Sequence, residues 1–202
     1  MKHKPQTPLF IVLSGPSGVG KDSIILRLKE LGRPYHFVVT ATTRGPRPGE
    51  TGGVDYHFLS QEDFDTLLAA DGFIEHAHVY GRSYGVPRAQ FADALGSGRD
   101  VIMRIDVQGA ATIRRLAPTA LLIFVAPPSV DDLAKRLELR DADSAESIAR
   151  RLATVPDEME RIDLFDYLVT NEDGRLDDAV AIVEAIIAAE HARVVPRKIP
   201  EL

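Results

Sequence analysis

Short apolar runs recur along the chain and alternate with stretches of helical period. Leu9-Phe10-Ile11-Val12-Leu13, Phe37-Val38-Val39-Thr40-Ala41, Val101-Ile102-Met103-Arg104-Ile105 and residues 120–125 read as buried strands, and residues 166–171 as a last one. Between them, a helix is predicted over Ile24-Ile25-Leu26-Arg27-Leu28, directly behind the loop of residues 14–23 and stopping near Leu31-Gly32, and others near residues 88–95, 108–116 and 176–192. Ser60-Gln61-Glu62-Asp63 and Ser129-Val130-Asp131-Asp132 place a hydroxyl three residues ahead of an acid, the pattern of a helix-starting capping box. The first of these helices carries Phe64, Leu67 and Leu68 on one side, and the second runs toward Arg140. A polar break at residues 141–144 leads into a further helix with Arg150 and Arg151, which Pro156 is expected to kink or interrupt. Strands alternating with helices imply right-handed crossovers and a parallel, doubly wound α/β sheet, with ligands gathering at the carboxyl ends of the strands.

Two segments follow a different rhythm. Residues 54–59 read as a short strand, and residues 73–80 alternate, with Glu75, Ala77 and Val79 on one face and Ile74, His76, His78 and Tyr80 on the other. Tyr84-Gly85 reads as part of a glycine-rich turn. A carboxylate among apolar neighbours needs donors, and Glu75 suits a ligand that offers two N–H groups. His76 and His78 have the spacing of a metal pair but no matching third ligand, so they read as surface or packed side chains.

The chemistry begins at the end of the first strand. Gly15, four intervening residues, then Gly20-Lys21 is the spacing of a phosphate-binding loop, whose backbone N–H groups turn onto an anion while the lysine reaches the terminal phosphates. The full stretch is Gly15-Pro16-Ser17-Gly18-Val19-Gly20-Lys21-Asp22-Ser23, and the helix that follows adds its positive end to the site. The motif expects Ser or Thr after the lysine, to hold Mg²⁺; here Asp22 stands there and the hydroxyl comes one place later, at Ser23. Asp106, at the end of another strand, is a second candidate to support Mg²⁺, directly or through water. Thr42-Thr43-Arg44-Gly45-Pro46-Arg47-Pro48-Gly49-Glu50 is too rich in Pro and Gly for regular structure, yet fixes two guanidinium forks suited to a phosphate. The two helices bearing Arg140, Arg150 and Arg151 read as a mobile lid that carries cations onto transferring phosphates.

Composition narrows the classes. The 202 residues suffice for one α/β domain with small insertions. A net charge of −6 argues against broad nucleic-acid binding, and zero cysteines exclude disulfides and thiolate chemistry and fit a reducing interior. No apolar run is long enough to span a bilayer, and the first residues lack the apolar core of a signal peptide, so a cytoplasmic location without membrane attachment is expected. Oligomeric state is left open.

These motifs occur together, in order, in a known family. Gly15 to Lys21, Thr42-Thr43-Arg44 with Arg47-Pro48-Gly49-Glu50, Gly53-Val54-Asp55-Tyr56-His57-Phe58, Phe73-Ile74-Glu75, Ile105-Asp106-Val107-Gln108-Gly109-Ala110 and Ala126-Pro127-Pro128-Ser129 make the chain resemble guanylate kinases over about residues 8–190. The resemblance implies a P-loop kinase fold with a central parallel sheet flanked by helices. The core would be about residues 8–36, 86–130 and 163–192, with a GMP-binding insert at about 37–85 and a helical lid at about 131–162. It implies transfer of the γ-phosphoryl group of ATP to GMP with Mg²⁺. It further implies that Arg44, Arg47, Tyr56 and Tyr84 hold the GMP phosphate, that Thr40 and Glu75 recognise guanine with Asp106 nearby, and that Arg140 and Arg151 are lid arginines. Lys21, Arg44, Arg140 and Arg151 are then the catalytic set, and Asn171 lies near the adenine. Glu75 can accept from guanine N1–H and the 2-amino group together, which adenine cannot match.

The chain departs from the family pattern at Asp22, at Arg104 where an acid is usual, at Val86 where a hydroxyl residue is usual, and at His76 where Trp is. Two other functions compete: a related phosphotransferase acting on an acceptor such as a ribose bisphosphate, which Gly20-Lys21-Asp22-Ser23 also suits, and a non-catalytic binding module, against which the presence of Lys21 counts.

Overall fold

The first apolar run becomes β1 (Phe10–Ser14), buried along its whole length. The structure, a computed structural model, describes residues 7–139 and 145–198. In chain order there follow α1 (Lys21–Glu30), β2 (His36–Phe37), β3 (Thr40–Thr42), β4 (Tyr56–Phe58), α2 (Gln61–Ala69), β5 (Phe73–Val79), β6 (Arg82–Pro87), α3 (Arg88–Gly96), β7 (Val101–Arg104) and α4 (Val107–Leu116). Then come β8 (Leu121–Ala126), α5 (Val130–Glu138), α6 (Ala145–Glu160), a 3-10 turn (Arg161–Leu164), β9 (Tyr167–Thr170) and α7 (Leu176–His191).

Strand order in the main sheet is β2-β7-β1-β8-β9, and every pairing in it is parallel. A parallel sheet covered by helices on both faces buries both sides of its strands, which is why β1 and β8 read as unbroken apolar runs. Alternate residues feed different cores: Ile11 and Leu13 pack with Ile24, Leu28, Leu133 and Val183, whereas Phe10 and Val12 pack with Phe91, Met103 and Ile113. The C-terminal ends of β1 and β7 therefore open on one edge, where the phosphate loop and Asp106 follow them.

Both capping boxes form: Ser60 Oγ accepts from Asp63 N–H at 3.0 Å and Ser129 Oγ accepts from Asp132 N–H at 3.1 Å. Asp106 caps α4 in the same way, accepting from Gly109 N–H at 2.7 Å.

A second sheet, ordered β4-β3-β6-β5, stands beside the first. Its small core is Ala41, Phe64 and Phe73, with the two phenyl rings stacked at 4.5 Å between centroids. The structure departs from the sequence pattern at three places. The run at residues 37–41 is not one strand: Phe37 pairs with Ile102 in the main sheet, while Thr40 and Ala41 pair with Tyr56 and His57 in the second. Tyr84-Gly85 is not a turn but the middle of β6, paired with both β3 and β5. Pro156 leaves α6 continuous from Ala145 to Glu160. On α2, Phe64 is buried and Leu67 packs beside it, but Leu68 is 37% exposed.

Candidate active site

The two sheets face each other across a cleft lined by the phosphate loop on one side and by β3, β5 and β6 on the other. The loop's shape depends on glycines. Gly15 has φ +139°, and a Cβ there would lie 2.1 Å from the carbonyl oxygen of Val125, so no side chain fits. Gly20, at φ +96°, starts α1 and leaves room for the Asn171 amide, which would be 2.3 Å from a Cβ at that position. Asn171, buried after β9, donates from Nδ2 to the Val19 carbonyl at 2.8 Å. Lys21 Nζ donates to the carbonyls of Gly15 and Pro16 at 2.6 and 2.9 Å, and burial lowers its pKa against the opposing pull of Asp22, Glu158 and Asp106. The ammonium is thus curled over its own loop, where an arriving phosphate would take over its N–H groups.

On the opposite wall Arg44 makes a bidentate ion pair with Glu50, at 2.8 and 2.9 Å, and lies 5.3 Å from the Tyr56 ring centre. Glu50 also accepts from the Arg47 N–H at 2.7 Å, so one carboxylate fixes the loop that presents both arginines. Tyr56 and Tyr84 meet edge to face at 6.4 Å, and burial pushes the Tyr56 phenol up to about 12.

Deeper in the cleft the charge changes sign. Glu75 is 4% exposed, and burial, then the neighbouring Asp106 charge, pushes its carboxyl up to about 8. Burial also raises Asp106, whose Oδ2 is enclosed with no hydrogen-bond donor among the described residues. Thr40, buried on β3, completes this lining. A buried acid without a fixed cation suits a ligand that brings its own N–H donors.

The chain is matched by the family model described as guanylate kinase over residues 7–190. It belongs to the guanylate kinase family. It is 44% identical over 196 residues to "Guanylate kinase 2, chloroplastic/mitochondrial" of Oryza sativa subsp. japonica, covering 96% of this chain and 69% of that protein. It is 41% identical over 192 residues to a guanylate kinase of Clostridium perfringens, covering 95% and 88%. Among solved structures, the guanylate kinase from Anaplasma phagocytophilum superposes with a TM-score of 0.76 at 29% identity, over 94% of this chain and 89% of that one.

Of the residues expected from the guanylate kinase resemblance, Gly15, Ser17, Gly18, Gly20, Lys21, Asp22, Thr40, Arg44, Arg47, Tyr56, Glu75, Tyr84, Asp106 and Arg151 all line this one cleft. Pro16 and Val19 are buried beneath it, Ser23 is exposed on α1, and Asn171 supports the loop from behind. Arg140 lies outside the described residues. Arg150 does not reach the cleft and pairs instead with Glu146 at 3.0 Å on the outer face of α6. His76 and His78 are exposed, and no group of potential metal-ligating side chains is present among the described residues.

Tyr80 and Glu158 also line the cleft, and neither belongs to a sequence motif. Tyr80, in the β5–β6 turn at φ +51°, meets Thr154 Oγ1 at 2.9 Å, and Arg151 lies 5.5 Å from its ring centre. Glu158 accepts from Tyr80 at 3.4 Å; burial, helped by Asp106 and opposed by Lys21, brings its carboxyl to about 7. The available signal was helical spacing, since Arg151, Thr154 and Glu158 stand at i, i+3 and i+7 and share one face of α6.

Proposed function

We propose that this protein transfers the γ-phosphoryl group of ATP to GMP, giving ADP and GDP. The carrying observation is that the phosphate loop and the buried Glu75 carboxylate line opposite parts of one cleft, with Arg44, Arg47, Tyr56 and Tyr84 between them. A nucleotide seated with its base at Glu75 and Thr40 reaches the arginines with its phosphate. A triphosphate on the loop then presents its terminal phosphorus to that phosphate.

The bond from the γ-phosphorus to the β–γ bridging oxygen breaks as one from the GMP phosphate oxygen forms, and ADP leaves with the bridging oxygen. The attacking oxygen is already deprotonated at neutral pH, so no general base is required. What the chain supplies is alignment and charge neutralisation by Lys21, Arg44, Arg47 and Arg151. Glu75, as the carboxylate, accepts from guanine N1–H and the 2-amino group; adenine offers an acceptor at N1 and leaves Glu75 unpaired.

Mg²⁺ fits the donor set, because the enclosed, donor-free Oδ2 of Asp106 is a hard oxygen beside the loop. Asp106 would hold the ion, directly or through water, with Asp22 contributing an oxygen at the loop. When bound, the ion neutralises charge on the β- and γ-phosphates. Nucleotides are the partners in this reading, and a compartment that supplies ATP, the cytoplasm in the simplest case, is the setting; among the described residues no helix is long and apolar enough to cross a membrane.

The test is ADP formation from ATP and Mg²⁺ with GMP, AMP, UMP or a ribose bisphosphate offered in turn. Turnover with GMP alone, lost by about 10³-fold or more in Lys21→Met, supports the reading. Turnover with the ribose bisphosphate and none with GMP overturns it.

A further inference from the structure

Arg104 ends β7 and extends into the space between the two walls of the cleft, with its side chain only 12% exposed. Three contacts hold it. Nη1 donates to Asp22 Oδ1 at 2.5 Å, Nη2 donates to the Asp55 carbonyl at 2.6 Å, and the guanidinium carbon lies 4.2 Å from the Tyr56 ring centre. Asp22 belongs to the phosphate loop and its helix, whereas Asp55 and Tyr56 belong to the opposite wall. One side chain therefore ties the donor side of the cleft to the acceptor side.

Two of the N–H groups of Arg104 are committed by these bonds. The rest have no hydrogen-bond partner among the described residues, although the group is largely shielded from solvent. A guanidinium carries more donors than Asp22 and one carbonyl can absorb, and its planar fork matches two oxygens of a phosphate. Its place over the Tyr56 ring holds that fork beside Arg44, whose guanidinium carbon lies 5.3 Å from the centre of the same ring. The phosphate monoester held by Arg44 thus has Arg104 as its neighbour toward the loop.

We propose that Arg104 is a third guanidinium of the acceptor-phosphate site and contacts the phosphate of GMP, and that Asp22 is the positioning residue that aims it. Resting on the reading of the cleft as a GMP site, this assigns Asp22 to orienting Arg104 as its main task. The ion pair is 45% exposed on the Asp22 side and nearly enclosed on the Arg104 side, so the carboxylate remains hydrated while the guanidinium is kept for the ligand. Removing the phosphate from the ligand should remove the contribution of Arg104, while the base contacts at Glu75 persist.

The experiment is isothermal titration of the full chain, without ATP or metal, against GMP and against guanosine. Wild type, Arg104→Met, Arg104→Lys, Asp22→Asn and the Asp22→Asn/Arg104→Met double variant are compared. Arg104→Met should weaken GMP about tenfold or more and leave guanosine within about twofold, and Arg104→Lys should recover part of the loss because a point charge replaces the fork. Asp22→Asn should weaken GMP several-fold alone but add little in the Arg104→Met background, as expected if Asp22 acts through Arg104, while unchanged guanosine binding in the same variants separates this from a general structural effect. Guanosine binding reports that each variant has folded. If wild type binds GMP and Arg104→Met binds it equally well, or if GMP and guanosine weaken in parallel, the role assigned to Arg104 is wrong. If wild type binds neither ligand, the reading of the cleft itself fails.

Discussion

Glu75 presses against Gly109: a Cβ built at position 109 would lie 2.5 Å from Glu75 Oε1 and 3.1 Å from Asp106 Oδ1. The first turn of α4 therefore sets where the buried carboxylate can sit. Gly109→Ala should push Glu75 out of register while leaving the phosphate loop alone. The expected outcome is a rise of about tenfold or more in KM for GMP, equivalent to about 1.4 kcal/mol, with little change in KM for ATP. Steady-state kinetics with each substrate varied in turn checks this, and equal rises for both substrates count against it.

The raised carboxyl of Glu75 predicts a proton released on binding. In the free cleft Glu75 keeps its proton up to about pH 8, while pairing with guanine N1–H and the 2-amino group requires the carboxylate. Affinity for GMP should therefore rise with pH, by up to about tenfold per unit, and flatten above pH 8. Calorimetry at pH 7 in buffers of different ionisation enthalpy should detect the proton, and Glu75→Gln should abolish its share. In the free protein the same carboxyl stabilises the fold below its ordinary range, and that contribution is lost as pH rises toward 8, because the unfolded chain has already given up the proton.

At the loop, backbone sterics leave no alternative to glycine. Gly15→Ala would drive a methyl into the Val125 carbonyl of the sheet interior at a positive φ, so a loss of several kcal/mol is expected. Gly45→Ala meets nothing within 4 Å and should cost less than about 0.5 kcal/mol. Urea unfolding of the two variants side by side measures the contrast.

Tyr80 and Thr154 connect the β5–β6 turn to α6 through a hydrogen bond at 2.9 Å between partly buried hydroxyls. Tyr80→Phe and Thr154→Val should each destabilise the protein by about 1 kcal/mol, and the double variant by less than the sum, since both remove the same bond. A fully additive double variant in chemical denaturation would show that the two hydroxyls do not act together.

Local chemistry made much of this protein readable in one dimension. The phosphate loop, the Ser60 and Ser129 caps, the buried strands of the main sheet and the stiff Arg44–Arg47 segment all follow from neighbouring residues acting on their own backbone, so their spacing carries the information. Where one strand passed between two sheets, the pattern gave no warning. Residues 37–41 read as one β-forming run with Thr40 as its one polar member, and only the presence of Ile102 beside Phe37 and of Tyr56 beside Thr40 divides them. The strand at Tyr84-Gly85 was hidden for a similar reason: glycine there reads as a turn, but a Cβ at Gly85 would sit 2.7 Å from the Phe73 ring, so packing against β5 selects it. Asp22 and Arg104 stand 82 positions apart, and neither has a local motif that requires the other. The sequence by itself determined the loop, its lysine, the capping boxes and the apolar strands β1, β7 and β8 with the helices between them, because those depend on short-range sterics and hydrogen bonding. Tertiary structure alone decided that Arg104 meets Asp22, that the face of α6 bearing Arg151 and Glu158 turns into the cleft, and that burial raises the Glu75 carboxyl. Each of these rests on burial and on charges brought together from distant parts of the chain.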